Sequence, residues 1–276
     1  MTQTLDRRTL LTLAAMSTAG LASLPAQDAK AETMQDHMTS MGMVPKDAPR
    51  VAMLVYPNMV AMDLIGPMTV FKIMRFNIEL VGKDKSPAST DVGIPMAATH
   101  TFDECPGGMD VLFVPGGTIG TIACMQDRAV MDFMADRGNS AKWVTSVCTG
   151  SLVLAAAGLL KGYDATAHWA VADLLPLMGA RHVEGRVVRD RNRMTGGGVT
   201  AGIDFALTLA AEMKGEEAAK RAALTIEYAP QPPFQSGMPQ EAGEAMVASM
   251  RSARHTMDDG ARQAAIAAGK RLGLQL

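Results

Sequence analysis

The chain has 276 residues, 48% of them hydrophobic and 20% charged, which is the make-up of an ordinary globular protein long enough for one large domain or two small ones. A formal net charge of −2, no basic stripe and only 4% aromatic residues argue against a nucleic-acid partner and leave few platforms for stacking bases. Three cysteines, Cys105, Cys124 and Cys148, are an odd number, so at least one thiol is free or paired between chains.

Residues 1–31 carry the marks of a secretory leader. Arg7 and Arg8 precede a modest apolar run, Leu10 to Leu24, and Ala29-Lys30-Ala31 forms a small-residue cleavage site before Glu32. The paired arginines resemble the twin-arginine type, which predicts export of a folded protein to a periplasm. The apolar run is too short, and too rich in Ala, Ser, Thr and Gly, for a stable membrane span. Residues 32–50 are polar and read as a linker. Its Met34, His37, Met38, Met41 and Met43 are ligand types that suit Cu(I), but the chain holds 23 methionines, and that composition explains the cluster better.

From residue 51 short apolar runs alternate with helical patterns. Val51 to Tyr56 reads as a strand buried on both faces, followed by a Pro57 to Pro67 loop containing Asp63 and a short helix through Phe71 to Met74. Asn77 to Val81 is a second strand, and Val92 to Phe102 is an extended excursion. Val111 to Val114 is the next buried strand, ending in a Pro115 to Ile122 loop with Gly116-Gly117, and Asp127 to Arg137 fits a helix. A Cys105–Cys124 bridge is disfavoured, because the two thiols flank the Val111 to Val114 strand at opposite ends. Further on come a brief strand at Asp164 to Thr166 and a helix from Trp169 to Leu175. A hairpin spans Val183 to Thr195, helices follow over Thr200 to Met213 and Glu216 to Ala223, and an alanine-rich amphipathic helix runs from Glu241. The pattern predicts an α/β fold with a mostly parallel sheet. The domain boundaries are then 51–237 for the α/β domain and 238–276 for a C-terminal helical extension.

The stretch Lys142 to Gly158, KWVTSVCTGSLVLAAAG, organises the rest. An apolar strand meets Cys148, small residues Ser146 and Gly150 flank the turn, and a helix follows, as a nucleophile elbow requires. The helix N-terminus favours thiolate. The same residues also fit a buried structural cysteine beside a helix start. In parallel sheets ligands bind beyond the carboxyl ends of the strands, and the pattern puts Asp63, Gly116-Gly117 and Cys148-Thr149 on that edge. Gly117 and Thr149 then offer backbone N–H donors for a developing negative charge. Asp63 reads either as a helix cap or as the acid–base partner of Cys148. His168 is the remaining candidate base, and its position favours a structural role at a helix start. There is no zinc-spaced Cys/His set, and Gly116 to Gly120 does not follow the dinucleotide fingerprint.

These pieces resemble the ThiJ/PfpI superfamily and, within it, the isonitrile hydratase branch. The resemblance rests on Tyr56-Pro57 with Asp63-Leu64-Ile65-Gly66-Pro67, Val114-Pro115-Gly116-Gly117, Val147-Cys148-Thr149-Gly150-Ser151 and Ala165-Thr166-Ala167-His168-Trp169. It continues in Gly202-Ile203-Asp204 and in the Ile226 to Phe234 tail. It implies a flavodoxin-like three-layer sandwich, a homodimer, and no cofactor. Cys148 would be the nucleophile, with Asp63 and Thr149 beside it and Gly116, Gly117 and His168 lining the oxyanion and substrate site. The implied reaction is hydration of an isonitrile to an N-substituted formamide through a thioimidate. A redox or electrophile sensor built on Cys148 is the alternative. The small-molecule substrate is the expected partner, with neither nucleic acid nor stable membrane insertion.

Overall fold

The computed structural model describes residues 43–275. The leader and residues 32–42 of the linker, with Met34, His37, Met38 and Met41, therefore lie outside the described residues. Three layers build the fold. The central sheet has strand order β10-β11-β7-β6-β1-β2-β5, where β1 is Arg50–Leu54, β2 Asn77–Gly82, β5 His100–Thr101, β6 Val111–Val114, β7 Trp143–Ser146, β10 Val187–Asp190 and β11 Arg193–Gly196. All of its pairings are parallel except the β10–β11 hairpin. The apolar runs read as doubly buried strands behave that way, since every residue of β6 and the last four of β1 are buried. Small two-residue strands, β3 (Ala88–Ser89) with β4 (Pro95–Met96) and β8 (Asp164–Ala165) with β9 (Arg181–His182), trim the edges.

One face is covered by α1 (Ala61–Ile73), α5 (Ala201–Lys214) and α6 (Glu216–Thr225). Here Phe71 stacks on Phe76 at 5.6 Å between ring centres, and Phe113 of the sheet stacks on Phe205 at 5.5 Å. The other face carries α2 (Thr118–Gln126), α3 (Arg128–Ser140), α4 (Gly150–Ala156) and a 3-10 helix (Ala172–Met178). After α7 (Pro239–Ala242), the 28-residue helix α8 (Glu244–Arg271) lies across α2, α4 and the 3-10 helix. Its Ala261, Ala264, Ala265 and Ala268 are buried in the same core cluster as the sheet. The small alanine side chains let this helix come close, so the C-terminal segment completes the layer. Among the described residues no helix is long and apolar enough to cross a membrane.

The structure differs from the sequence reading at three elements. Pro57 to Pro67 was expected as a loop, but α1 begins at Ala61 and runs with Pro67 inside it. Proline removes an N–H and crowds the preceding turn. The helix continues because Leu64, Val70 and Phe71 are fully buried on its length. The Pro115 to Ile122 loop turns into α2 at Thr118, immediately after Gly117. Trp169 to Leu175 forms a 3-10 helix shifted to Ala172–Met178, with Pro176 inside and Gly179 at φ 83° ending it. A tighter helix in a short piece tolerates this break better than a continued α-helix.

The close docking of α8 generates a stability prediction. Ala265 is fully buried and Ala267, two residues on, is exposed. Ala265→Glu should lower Tm on the order of 10 °C, because it buries an unpaired charge where a methyl group packed. Ala267→Glu should leave Tm nearly unchanged in the same thermal melt.

Candidate active site

Three strand ends converge. Beyond β1 comes α1 with Asp63, beyond β6 comes the Gly116-Gly117 turn, and beyond β7 comes Cys148. Cys148 adopts φ 56°, the left-handed region that a residue with a Cβ rarely occupies. Such strain persists only where surrounding bonds over-determine it. Here the Cys148 N–H donates to the carbonyls of Gly197 (2.7 Å) and Gly196 (3.1 Å), and the Cys148 carbonyl accepts from the His168 N–H at 3.2 Å. Ser146 and Ser151 hydroxyls meet at 2.9 Å across the turn, and Ser151 donates to the Thr166 carbonyl at 2.7 Å. The small residues around the cysteine are therefore used as the elbow requires. A Cβ at Gly150 would lie 2.4 Å from the Val114 carbonyl oxygen.

Gly116 is where the site closes. A Cβ there would stand 2.6 Å from Asp63 Oδ2, 2.7 Å from Cys148 Cβ and 2.7 Å from the Thr149 nitrogen. With hydrogen in its place, the Gly116 N–H donates to Asp63 Oδ2 at 2.8 Å, and the carboxyl comes close enough to Cys148 for each group to shift the other's titration. Asp63 is fully buried, and its Oδ1 has no hydrogen-bond partner. Asp63 does not cap α1. That task falls to Asp91, whose Oδ1 accepts the Ala61 N–H at 2.8 Å. Asp91 carried no signal in the sequence, since it sits in the excursion and meets the helix only through the tertiary fold.

Burial pushes the Asp63 carboxyl up to about 7, against the opposing bonds from Gly116 and Cys148, and nearby Asp91 adds to the rise. Cys148 is 4% exposed, and its thiol is also pushed well above the ordinary value, first by burial and then by the Asp63 charge. The Thr149 N–H and the Arg254 guanidinium act in the opposite direction. The elbow was expected to favour thiolate. Desolvation and the adjacent carboxyl outweigh the amide at the start of the short helix α4, so the resting pair is a neutral thiol against a carboxyl that titrates near neutrality.

The Gly117 N–H, expected to face a substrate oxyanion, donates instead to Thr149 Oγ1 at 2.8 Å. Gly117 itself has φ 147°, and a Cβ on it would overlap the Asn58 carbonyl oxygen at 2.4 Å. Both glycine amides thus hold side chains of the candidate site. Of the two proposed amide donors, the Thr149 N–H is the one aimed at the sulfur.

Thr149 Oγ1 also lies 2.8 Å from Thr121 Oγ1, and Thr121 lies 3.3 Å from the Tyr56 hydroxyl. Tyr56 donates its proton to the Pro115 carbonyl at 2.6 Å, and burial holds the phenol well above its usual value, so it stays protonated. Donation from Thr121 to Thr149 would free the Thr149 proton to point into the site. Donation from Thr121 to Tyr56 would instead draw that proton back. Tyr56 and Thr121 were not given a role by the sequence. Thr121 was hidden because α2 read as a loop.

His168 meets Cys148 through its backbone N–H. Its Nδ1 accepts the Ala170 N–H at 3.3 Å, and burial, with the Arg254 charge, lowers the imidazole to about 4, so the ring is neutral near pH 7. The ring lies beside a groove of about 450 Å³ lined by Trp169, Gly197, Thr200, Met238 and Arg251. Cys105 and Cys124 are buried and free, as is Cys148, and burial pushes Cys124 up to about 12. Among the described residues no group of three or more His, Cys, Asp or Glu side chains is placed to hold a metal ion.

A strained cysteine at a strand-to-helix elbow of a parallel α/β sheet, with a carboxyl brought against it by a glycine, defines a cysteine-elbow protein of flavodoxin-like fold. The DJ-1/PfpI family model matches residues 49–212, and the chain belongs to that family. It is 48% identical over 203 residues to the isonitrile hydratase of Pseudomonas putida, which covers 73% of this chain and 88% of that protein. The crystal structure of a ThiJ/PfpI family protein from Pseudomonas syringae superimposes with a TM-score of 0.78 at 45% identity, over 86% of this chain and 98% of the other. The Parkinson disease protein 7 homolog of Danio rerio is 29% identical over 143 residues, 51% of this chain and 75% of that protein.

The raised Asp63 pKa carries a sign. Between pH 3.8 and about 7 the folded state keeps a proton that the unfolded state has lost. Its stability contribution is complete below the unfolded value and is lost as pH rises through about 7, on the order of 4 kcal/mol in all. Asp63→Asn keeps an acceptor for Gly116 and lacks this slope. The Tm of the variant relative to wild type should therefore rise between pH 5 and pH 9. A constant difference would mean that the carboxyl is not buried in its neutral form.

Proposed function

We propose that the protein hydrates isonitriles to N-substituted formamides through covalent catalysis by Cys148. The observation that carries this reading is the buried thiol–carboxyl pair of Cys148 and Asp63, with Asp63 titrating near 7 and no imidazole ring on the sulfur. The 48% identity to an isonitrile hydratase supports the substrate class. The geometry supports it too, since a linear R–N≡C head is slender enough to reach a sulfur that is 4% exposed, whereas a peptide carbonyl in an extended chain is not.

In this mechanism the thiol proton passes to Asp63 as sulfur attacks the terminal carbon. The carboxyl delivers a proton to that carbon, giving the thioimidate R–N=CH–S–Cys148. Water, held by the Thr149 hydroxyl, then adds to the carbon while Asp63 takes its proton and passes one to nitrogen. The C–S bond breaks, the thiol is restored, and R–NH–CHO leaves. A carboxyl near pKa 7 suits both halves, because it must donate and accept at similar cost. The groove beside His168 and Trp169 receives the R group. In the same reading the twin-arginine-type leader sends the enzyme to the periplasm, where it acts as a homodimer.

The test is conversion of alkyl and aryl isonitriles to formamides by the purified protein. Cys148→Ala should abolish turnover. Asp63→Asn should lower kcat by about 100-fold or more while the fold persists, because proton transfer by a positioned group contributes roughly that much. No turnover across the panel, together with ready peroxide oxidation of Cys148, would favour the sensor. Gly116→Ala should also cost at least about 100-fold in kcat/KM, since the new methyl group displaces Asp63 or Cys148 by a large fraction of an ångström. Full activity in that variant would show that the carboxyl–thiol contact is dispensable.

A further inference from the structure

Helix α8 lies outside the residues matched by the family model, yet it packs on α2 and α4, the helices that begin beside Cys148. Arg254 of α8 donates through Nη2 to Asp258 Oδ1 at 3.1 Å and, more weakly, to Thr118 Oγ1 at 3.5 Å. Its Nε is buried and has no hydrogen-bond partner, so Asp258 answers only part of the guanidinium. Thr118 directly follows Gly117, whose N–H holds Thr149. One turn earlier on α8, Arg251 donates to the Ala170 carbonyl at 3.4 Å, in the loop of His168, whose N–H holds the Cys148 carbonyl. Helix α8 thus ties together the two loops that frame the sulfur, with the Arg254 guanidinium on the Thr118 side.

We propose that Arg254, supplied by the C-terminal helix, is a positioning residue of the active site that provides the positive charge against which the Cys148 thiolate forms. A buried thiolate needs a compensating cation, and cysteine sites commonly draw it from histidine. Here the residue after Cys148 is Thr149, and His168 is neutral near pH 7. The ionisable groups around the sulfur are Asp63 from α1, Tyr56 from the end of β1, His168, and Arg254 with Asp258 from α8; Asp91 acts on Asp63. Asp63 opposes the thiolate, whereas Arg254 favours it, and Arg254 is the one cation in this set. Asp258 then sets how much of its charge the site feels. The proposal rests on Cys148 being the nucleophile, and it can be tested without an isonitrile.

The measurement is the pH dependence of Cys148 alkylation by iodoacetamide in the full-length protein, read as the mass of the Cys148 peptide so that Cys105 and Cys124 do not contribute. Arg254→Gln should move the midpoint to higher pH and slow alkylation about tenfold at a fixed pH below it, the effect of one unit. Arg254→Lys, which keeps the charge, should restore the wild-type midpoint. Asp258→Asn should move it to lower pH. A wild-type midpoint in a folded Arg254→Gln protein would overturn the proposal. If that variant does not fold, an unmoved midpoint in Asp258→Asn overturns it instead. Loss of isonitrile turnover in the wild type with these shifts intact would sink the hydratase reading alone.

Discussion

A hydrogen atom in place of a side chain at Gly116 lets three strand ends meet. Asp63, Cys148 and the Thr149 amide all lie within 2.8 Å of the point a Cβ would occupy, so no other residue fits without moving one of them. The same glycine donates its N–H to the carboxyl it admits. Much of the site's electrostatics follows from this closeness. A carboxylate and a thiolate cannot both stand charged in a dry pocket at contact distance, so both groups hold their protons longer than they would in water. The fold stores this as a cost in stability near and above neutral pH and offers in return an acid that can work at physiological pH.

The thiol's high pKa is compatible with nucleophilic work because the carboxyl that raises it also accepts its proton. A cysteine paired with histidine is poised as an ion pair before substrate arrives. In the Cys148–Asp63 pair the thiol instead keeps its proton at rest beside a carboxyl that titrates near 7, and the sulfur becomes charged only as it attacks. That arrangement protects the sulfur from adventitious oxidation, since the thiolate is the oxidisable form. It also places weight on whatever positive field reaches the sulfur, from the Thr149 N–H and, in the proposed arrangement, from Arg254 on a helix more than 100 residues downstream of the elbow.

Local residue patterns carried a large part of the architecture. Continuous β-branched and apolar runs at Val51, Val111 and Trp143 mark strands buried on both faces, and a run of that kind needs only its own composition to be read. The elbow was legible for the same reason, since Ser146, Cys148 and Gly150 are close in sequence. The helices at α1 and α2 were misread because their drive is tertiary. α1 carries a proline and no capping side chain of its own, and it stands on burial of Leu64, Val70 and Phe71 and on the distant Asp91 cap. α2 starts from a glycine at φ 147° with no capping side chain, so nothing local announces it.

The sequence by itself determined that a cysteine sits at a strand-to-helix turn, that a carboxylate and a Gly-Gly turn lie on the same sheet edge, and that no histidine adjoins the sulfur. These are matters of spacing and residue type. Only the tertiary structure decided what those groups do to one another. It turned the Gly116 and Gly117 amides inward to hold Asp63 and Thr149, extended the Thr149 hydroxyl into a chain with Thr121 and Tyr56, and set Arg254 against Thr118 at the start of α2. It also reversed the expected effect on the thiol, because desolvation depends on everything packed around the sulfur, and that packing is assembled from residues scattered between Tyr56 and Asp258.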